Sequence, residues 1–220
     1  MINNRIEHME KIIQVNPRKP EPHLIRQAAK VLMDGGIIAY PTETVYGIGC
    51  NALNAAAVDR IYDLKGRDRS KAMIVIAGDI LQVRELVKEI PPAAEKLIDN
   101  FWPGPLTIIF DAVEKVAAVF RSGHNTIAVR IPDSRICLSL IRQTGFPLIS
   151  TSANPSGEPP ATTAEEVDAV FGDQLDLIID GGPTPSRTPS TVVDVTRSPV
   201  RIVRQGAVSA LEIRTVLDTI

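Results

Sequence analysis

Short β-branched runs interleave with amphipathic helical stretches along this chain, without a strict strand–helix beat. That pattern narrows the fold more than any other feature. Residues 37–40, 73–76, 106–110, 126–131 and 147–151 each read as a short buried strand, and 177–180, 191–195 and 201–204 continue the series. Pro20-Glu21-Pro22 opens a helix whose Leu24, Ile25, Ala28, Val31 and Leu32 share one face, and Gly35-Gly36 ends it. Further helical patterns cover 55–65, 80–89, 93–100, 134–143 and 210–217, and Pro91-Pro92 separates the second of these from the third. The expectation is an α/β (α+β mixed) fold around one twisted mixed sheet with flanking helices. A length of 220 residues with 44% apolar side chains is enough for a sizeable core in one large domain or two small ones.

Several function classes are disfavoured by what the chain carries. Its net charge is −2, without the basic excess of a dedicated nucleic-acid binder, so any RNA contact must be a local patch. No apolar run approaches the ~20 residues of a membrane span. Residues 1–8 lack the apolar core of a secretory signal, so a cytoplasmic location is expected. Cys50 and Cys137 are far apart and suggest neither a disulfide framework nor a metal site, but small packed side chains. His8, His23 and His124 are scattered, and no HExxH, G-x-S-x-G or Gly-Lys-Ser/Thr sequence occurs. A nucleotide, if bound, is held without a Walker-type loop.

Six segments are candidates to carry chemistry or to frame a site. Lys65, Arg67, Arg69 and Lys71 put four cations within seven residues. Lys65 suits the last turn of a helix and Gly66 its C-terminal cap, but neither role explains the cations that follow on alternate positions. Polyphosphate binding needs such a cluster, while a solvated loop is the plainer alternative. Ser152-Ala153-Asn154 offers short polar groups that can complete coordination without filling a pocket. Strand periodicity over 126–131 sends Ile127, Val129 and Ile131 to the core, and Thr126, Ala128 and Arg130 to the opposite face. A mid-strand arginine needs a carboxylate, either a protein Asp or Glu or that of a substrate. Thr42, Glu43 and Thr44 sit at a strand exit, where they either meet a ligand or cap a following helix. Phe101-Trp102-Pro103-Gly104-Pro105 reads as a structural aromatic turn, and 181–189 as a functional loop over a pocket rather than a domain boundary.

Taken in order, Tyr40-Pro-Thr-Glu-Thr-Val-Tyr-Gly47, Lys65-Gly-Arg67, Trp102-Pro-Gly-Pro-Leu-Thr107, Thr126-Ile-Ala-Val-Arg-Ile-Pro132, Ser150-Thr-Ser-Ala-Asn154, Ser190-Thr-Val-Val-Asp194 and Arg201-Ile-Val-Arg-Gln-Gly206 resemble the YrdC-like threonylcarbamoyl-AMP synthase family. The resemblance implies a single domain over 1–220, with its core at about 20–207, and a twisted, curved sheet around a deep positively charged cavity. It implies formation of threonylcarbamoyl-AMP and pyrophosphate from L-threonine, bicarbonate and ATP, with the product passing to a tRNA threonylcarbamoyl-transferase complex. By resemblance, Lys65, Arg67, Ser152 and Asn154 are the catalytic set. Arg67, Lys71, Thr126, Ser152, Asn154 and Arg204 would hold ATP; Thr44, Arg130, Ser150 (through its backbone) and Ser190 would hold threonine. Magnesium is expected on the triphosphate, with no protein ligands evident. No histidine matches a catalytic position, so positioning and electrostatics are expected to carry the reaction.

The chain departs from the family pattern at Asp68 and Ala72, where proline is usual, and at Ile76, where histidine is frequent. These changes imply a more mobile cationic loop, less local positive charge and one fewer threonine contact. The chain also reads as the short form, without a further C-terminal domain. The competing readings are a weak tRNA or double-stranded RNA binder and a non-synthase paralogue of the same fold.

Overall fold

A computed structural model describes residues 11–114 and 125–218. The N-terminal segment 1–8, with His8, and His124 lie outside the described residues. The chain order is β1 (Ile12–Gln14), α1 (Pro22–Met33), β2 (Ile38–Pro41), β3 (Tyr46–Asn51), α2 (Ala55–Lys65), β4 (Ile74–Ile76), α3 (Ile80–Leu86), α4 (Pro92–Phe101), β5 (Leu106–Asp111), β6 (Thr126–Arg130), α5 (Arg135–Thr144), β7 (Leu148–Ser152), α6 (Ala164–Phe171), β8 (Leu177–Asp180), β9 (Thr191–Asp194), β10 (Arg201–Arg204) and α7 (Ala210–Asp218). All ten strands join one sheet in the order β1-β8-β2-β3-β7-β4-β6-β5-β9-β10. The sheet is mixed: β8 runs parallel to β1 and β2, β4 to β6 and β5 to β9, while the remaining neighbours are antiparallel.

Alternation along the strands divides the interior in two. One face sends Tyr46, Ile48, Val75, Ile108, Phe110, Ile127, Val129 and Val193 into a large core that also takes apolar residues of α2, α3, α4, α6 and α7. The opposite face sends Ile13, Ile38, Tyr40, Leu148, Leu177 and Ile179 against α1 and α5. Those two helices cover the β1-β8-β2 side of that face. Over β7-β4-β6-β5-β9 the same face presents Ser150, Ile74, Ala128, Arg130, Ile109 and Val192 to a cavity instead.

Three elements differ from the sequence reading. β1 is a short edge strand, and α6 falls in a stretch with no predicted element. Thr163 caps α6 by accepting from the Glu166 backbone N–H, and Glu166 accepts from the Thr162 backbone N–H at 2.6 Å. This is close to the Ser/Thr-x-x-Glu signature of a helix start, so the signal was present. The third is β3. Thr42 and Glu43 do not cap a helix; residues 42–45 form a turn, and the chain returns as a strand antiparallel to β2. Gly47 and Gly49 hide β3 from a reading based on β-branched content. Gly49 has no room for a side chain, because a Cβ there would collide with the Tyr40 hydroxyl and the Ile149 carbonyl.

Candidate functional site

The cavity has a volume of about 370 Å³ and draws its wall from segments far apart in sequence. The β2–β3 turn contributes Thr42 and Thr44, the segment after α2 contributes Arg67 and Lys71, the strands contribute Arg130, Ser150, Ser152 and Arg204, and Ser190 stands immediately before β9. Among the described residues, no Asp, Glu or His belongs to this wall.

Arg130 is 6% exposed at the end of β6. Its Nε donates to the Gly104 carbonyl at 3.0 Å, Nη1 reaches Thr44 Oγ1 at 3.5 Å, and Nη2 pairs with Glu43 Oε1. The needed carboxylate is therefore present within the protein, on the β2–β3 turn rather than a neighbouring strand. Gly104 belongs to the aromatic turn, whose Trp102 donates its indole N–H to the Leu106 carbonyl at 2.6 Å and packs edge-on to Phe110. That tryptophan is structural, and its turn supplies the acceptor that orients Arg130.

The β2–β3 turn is braced from within. The Thr42 hydroxyl lies 2.8 Å from that of Thr44 and donates to the Val45 carbonyl at 2.7 Å. It also accepts the backbone N–H groups of Thr44 and Val45. Ser190 is buried beside Thr107, with hydroxyls 2.9 Å apart. Arg204 donates to the Ser190 carbonyl from Nε and Nη2 at 3.2 and 2.8 Å. Partial burial of the Arg204 guanidinium, reinforced by Arg67 and Arg130, disfavours its charge, as expected where like charges converge.

The cationic segment divides in two. Lys65 ends α2, and Gly66 takes the left-handed conformation (φ 56°) that caps it. Lys65 is not solvated: it is 4% exposed, and its ammonium donates to the Ser152 and Asn154 carbonyls. Burial, with Arg67 adding to it, pulls its pKa down to about 8. Arg67 folds back onto the Lys71 and Ala72 carbonyls at 3.1 and 2.8 Å while lining the cavity. Arg69 turns away, pairs with Asp59 and Asp63 of α2, and lies over the Tyr62 ring. Asp68 accepts from the Ser70 backbone N–H at 2.9 Å, a local turn contact in place of the usual proline.

Of the eleven residues singled out from sequence, eight line this cavity: Thr44, Arg67, Lys71, Arg130, Ser150, Ser152, Ser190 and Arg204. Lys65, Asn154 and Thr126 are not on its wall. Lys65 and Asn154 lie behind Ser152, joined by the contact just described; the Asn154 Oδ1 is buried without a hydrogen-bond partner. Thr126 sits at the far end of β6, opposite Asp111. Ile76, the departure from histidine, is on the wall. Glu43 is the residue that sequence reasoning set aside; its signal was an unpaired mid-strand arginine awaiting an acid.

A second cavity, of about 500 Å³, shares Thr42 with the first and is also lined by Glu43, Ser134, Arg135, Pro183, Thr184 and Pro185. The 181–189 loop lines the second cavity and reaches the first only at Pro189; it is tied at its start, where Tyr46 Oη donates to the Gly182 carbonyl at 2.8 Å and the Thr184 N–H to the Thr162 carbonyl.

Comparison with known proteins places this arrangement among relatives. The family model Sua5/YciO/YrdC, described as "Telomere recombination", matches residues 30–206. A threonylcarbamoyl-AMP synthase of Pyrococcus abyssi is 42% identical over 209 residues, which is 95% of this chain and 61% of the relative. Another, from Marinobacter nauticus, is 40% identical over 169 residues, 76% of this chain and 89% of the relative. The crystal structure of P. abyssi Sua5 complexed with L-threonine superposes with a TM-score of 0.91 at 42% identity, covering 94% of this chain and 61% of that one. The chain thus spans about three fifths of the Pyrococcus protein and nearly all of the Marinobacter one. On the family match, the identity and the shared sheet, the chain belongs to the Sua5/YciO/YrdC family.

Proposed function

We propose that this protein is a nucleotidyltransferase that forms threonylcarbamoyl-AMP and pyrophosphate from L-threonine, bicarbonate and ATP. The observation that carries the reading is the convergence of Arg67, Lys71, Arg130 and Arg204 on one cavity beside the hydroxyls of Thr44, Ser150, Ser152 and Ser190. Relatives at about 40% identity that bear this activity's name support it.

In this reading the amino acid lies at Arg130, Thr44, Ser150 and Ser190, where a guanidinium with hydroxyl neighbours suits a carboxylate. The triphosphate lies toward Arg67, Lys71, Ser152 and Arg204, whose fixed charges offset the charge that develops on departing pyrophosphate. Lys65 and Asn154 act through the 152–154 turn. Thr126, at the far end of β6, is the least supported of the nucleotide contacts. The cavity wall has no carboxylate, and the described residues contain no cluster of acids, histidines and cysteines able to hold a metal. The residues present therefore offer magnesium no carboxylate ligand, and a magnesium ion would be held by the triphosphate itself.

We further propose that the product passes to a tRNA-modifying transferase in the cytoplasm. No helix among the described residues is long and apolar enough to cross a membrane.

The test is incubation with ATP, threonine and bicarbonate, followed by mass detection of the adenylate and measurement of pyrophosphate. Pyrophosphate release that needs all three substrates is expected. Release that ignores threonine, or an absent adenylate, overturns the reading.

A further inference from the structure

Glu43 has no part in the function set out so far, yet it makes the one charged contact of a buried arginine. Its Oε1 takes two partners, Arg130 Nη2 and the Asp133 backbone N–H at 3.1 Å, while its Oε2 is buried with no hydrogen-bond partner. The carboxylate therefore staples the β2–β3 turn to the junction between β6 and α5. Its own position is over-determined by the Thr42 and Thr44 hydroxyl contacts on either side.

A guanidinium has five N–H donors. Gly104 and Thr44 each accept from one of Arg130's, on Nε and Nη1, while Nη2 meets Glu43 as a buried ion contact without a hydrogen bond. Nη1 keeps one N–H that no protein group accepts, and a charged N–H of this kind is what a carboxylate takes. An arginine buried this deeply, with the Arg67 and Arg204 charges near it, is strongly disfavoured without a counterion. Glu43 lines the neighbouring cavity and Arg130 the reaction cavity, so the counterion comes from outside the reaction cavity.

We propose that Glu43 is a positioning residue: by its charge it holds the Arg130 guanidinium so that the uncommitted Nη1 N–H receives the carboxylate of the amino-acid substrate, and thereby sets selectivity for that carboxylate. The proposal rests on the assignment of Arg130 to the amino acid made above.

The test compares threonine with threonine amide, which lacks the carboxylate charge, in the wild-type protein and in Glu43→Gln, Glu43→Asp and Arg130→Gln variants, with the KM for ATP measured alongside. Glu43→Gln keeps the shape and one acceptor but not the charge. It is expected to shrink the preference for threonine over its amide by about tenfold, and to leave the KM for ATP within about twofold. Glu43→Asp keeps the charge with a shorter reach and is expected to fall between Glu43→Gln and wild type; it carries the test alone if Glu43→Gln does not fold. An unchanged preference in the folded Glu43 variants, with Arg130→Gln losing it, overturns the proposal and leaves the Arg130 assignment standing. An unchanged preference in Arg130→Gln overturns both. Equal loss for threonine, amide and ATP marks Glu43 as merely structural and also overturns the proposal.

Discussion

Lys65 shows how far a residue's type can be read and where its direction escapes. The sequence placed it in the last turn of a helix before a glycine cap, and α2 ends there. Its side chain was grouped with Arg67 and Lys71, whereas it turns inward onto the Ser152 and Asn154 carbonyls. Nothing in the local sequence distinguishes the two directions, because the acceptors lie almost ninety residues away. Arg130 was more legible, since strand alternation alone fixes its face. The buried ammonium has a consequence for pH. Its pKa in the fold, about 8, is below its ordinary 10.5. The unfolded chain therefore holds more protons between those values, and this group's contribution makes stability rise with pH across that window. Below pH 8 both states are protonated and the contribution is flat. Activity should move the other way, because the neutral amine holds the two carbonyls less strongly and the 152–154 turn loosens. Denaturant melts and pyrophosphate assays at pH 7 and 9, on wild type and Lys65→Met, check this. The variant should lack both the alkaline gain in stability and the alkaline loss in rate. A wild-type stability that falls through this window with Lys65→Met falling less would reverse the sign and refute it.

At the scale of elements, legibility followed side-chain chemistry. β6 declared itself because Ile127, Val129 and Ile131 alternate with smaller or charged residues, and the structure buries those three in one core. β3 did not, because Tyr46-Gly-Ile-Gly-Cys reads as a turn-rich stretch. The missing information is tertiary: Tyr40, fully buried on β2, lies across the glycines of the neighbouring strand, with its hydroxyl 3.4 Å from the Ile149 carbonyl. Glycine in a strand interior ordinarily weakens it, and here an aromatic ring fills the space that side chains would otherwise take. Gly49→Ala should therefore destabilise the fold by about 1–3 kcal/mol, the usual scale of overpacking. Urea unfolding of the variant checks the value. A companion Tyr40→Phe, Gly49→Ala double variant should recover part of the loss, because the hydroxyl is one of the two atoms that the new methyl meets. A Gly49→Ala protein as stable as wild type would show that the ring does not need this glycine.

For the whole molecule, the site is a matter of incomplete coverage. A mixed sheet is stable when both faces are covered, and here the cluster under α1 and α5 centres on β1, β8 and β2 and reaches beyond them only to Leu148 of β7 and Ile76 of β4. The rest of that face keeps its strands' alternate residues, and these include the cations. No sequence pattern announces where a helix layer stops, which is why the individual residues were legible from local pattern while their cavity was expected only through the family resemblance. The arrangement has a thermodynamic signature. A net charge of −2 spread over the chain coexists with Arg67, Lys71, Arg130 and Arg204 gathered on one wall, so the empty state holds like charges together without compensation from that wall. An anionic ligand removes that repulsion and bridges β6, β9, β10 and the segment after α2. Binding to the folded state alone stabilises by RT ln(1 + [L]/Kd), about 2.7 kcal/mol at a hundredfold excess over Kd. For a domain of this size, that raises the melting temperature by roughly 5–10 °C. ATP should produce this shift, and threonine added with ATP should raise it by less than the two separate shifts combined, because whichever ligand binds first has already relieved the repulsion that both share. The nucleotide part should shrink with added salt as screening weakens the cationic wall. A melting temperature indifferent to ATP at low salt, or shifts that add without any shortfall, would mean that the cations do not act on one ligand space.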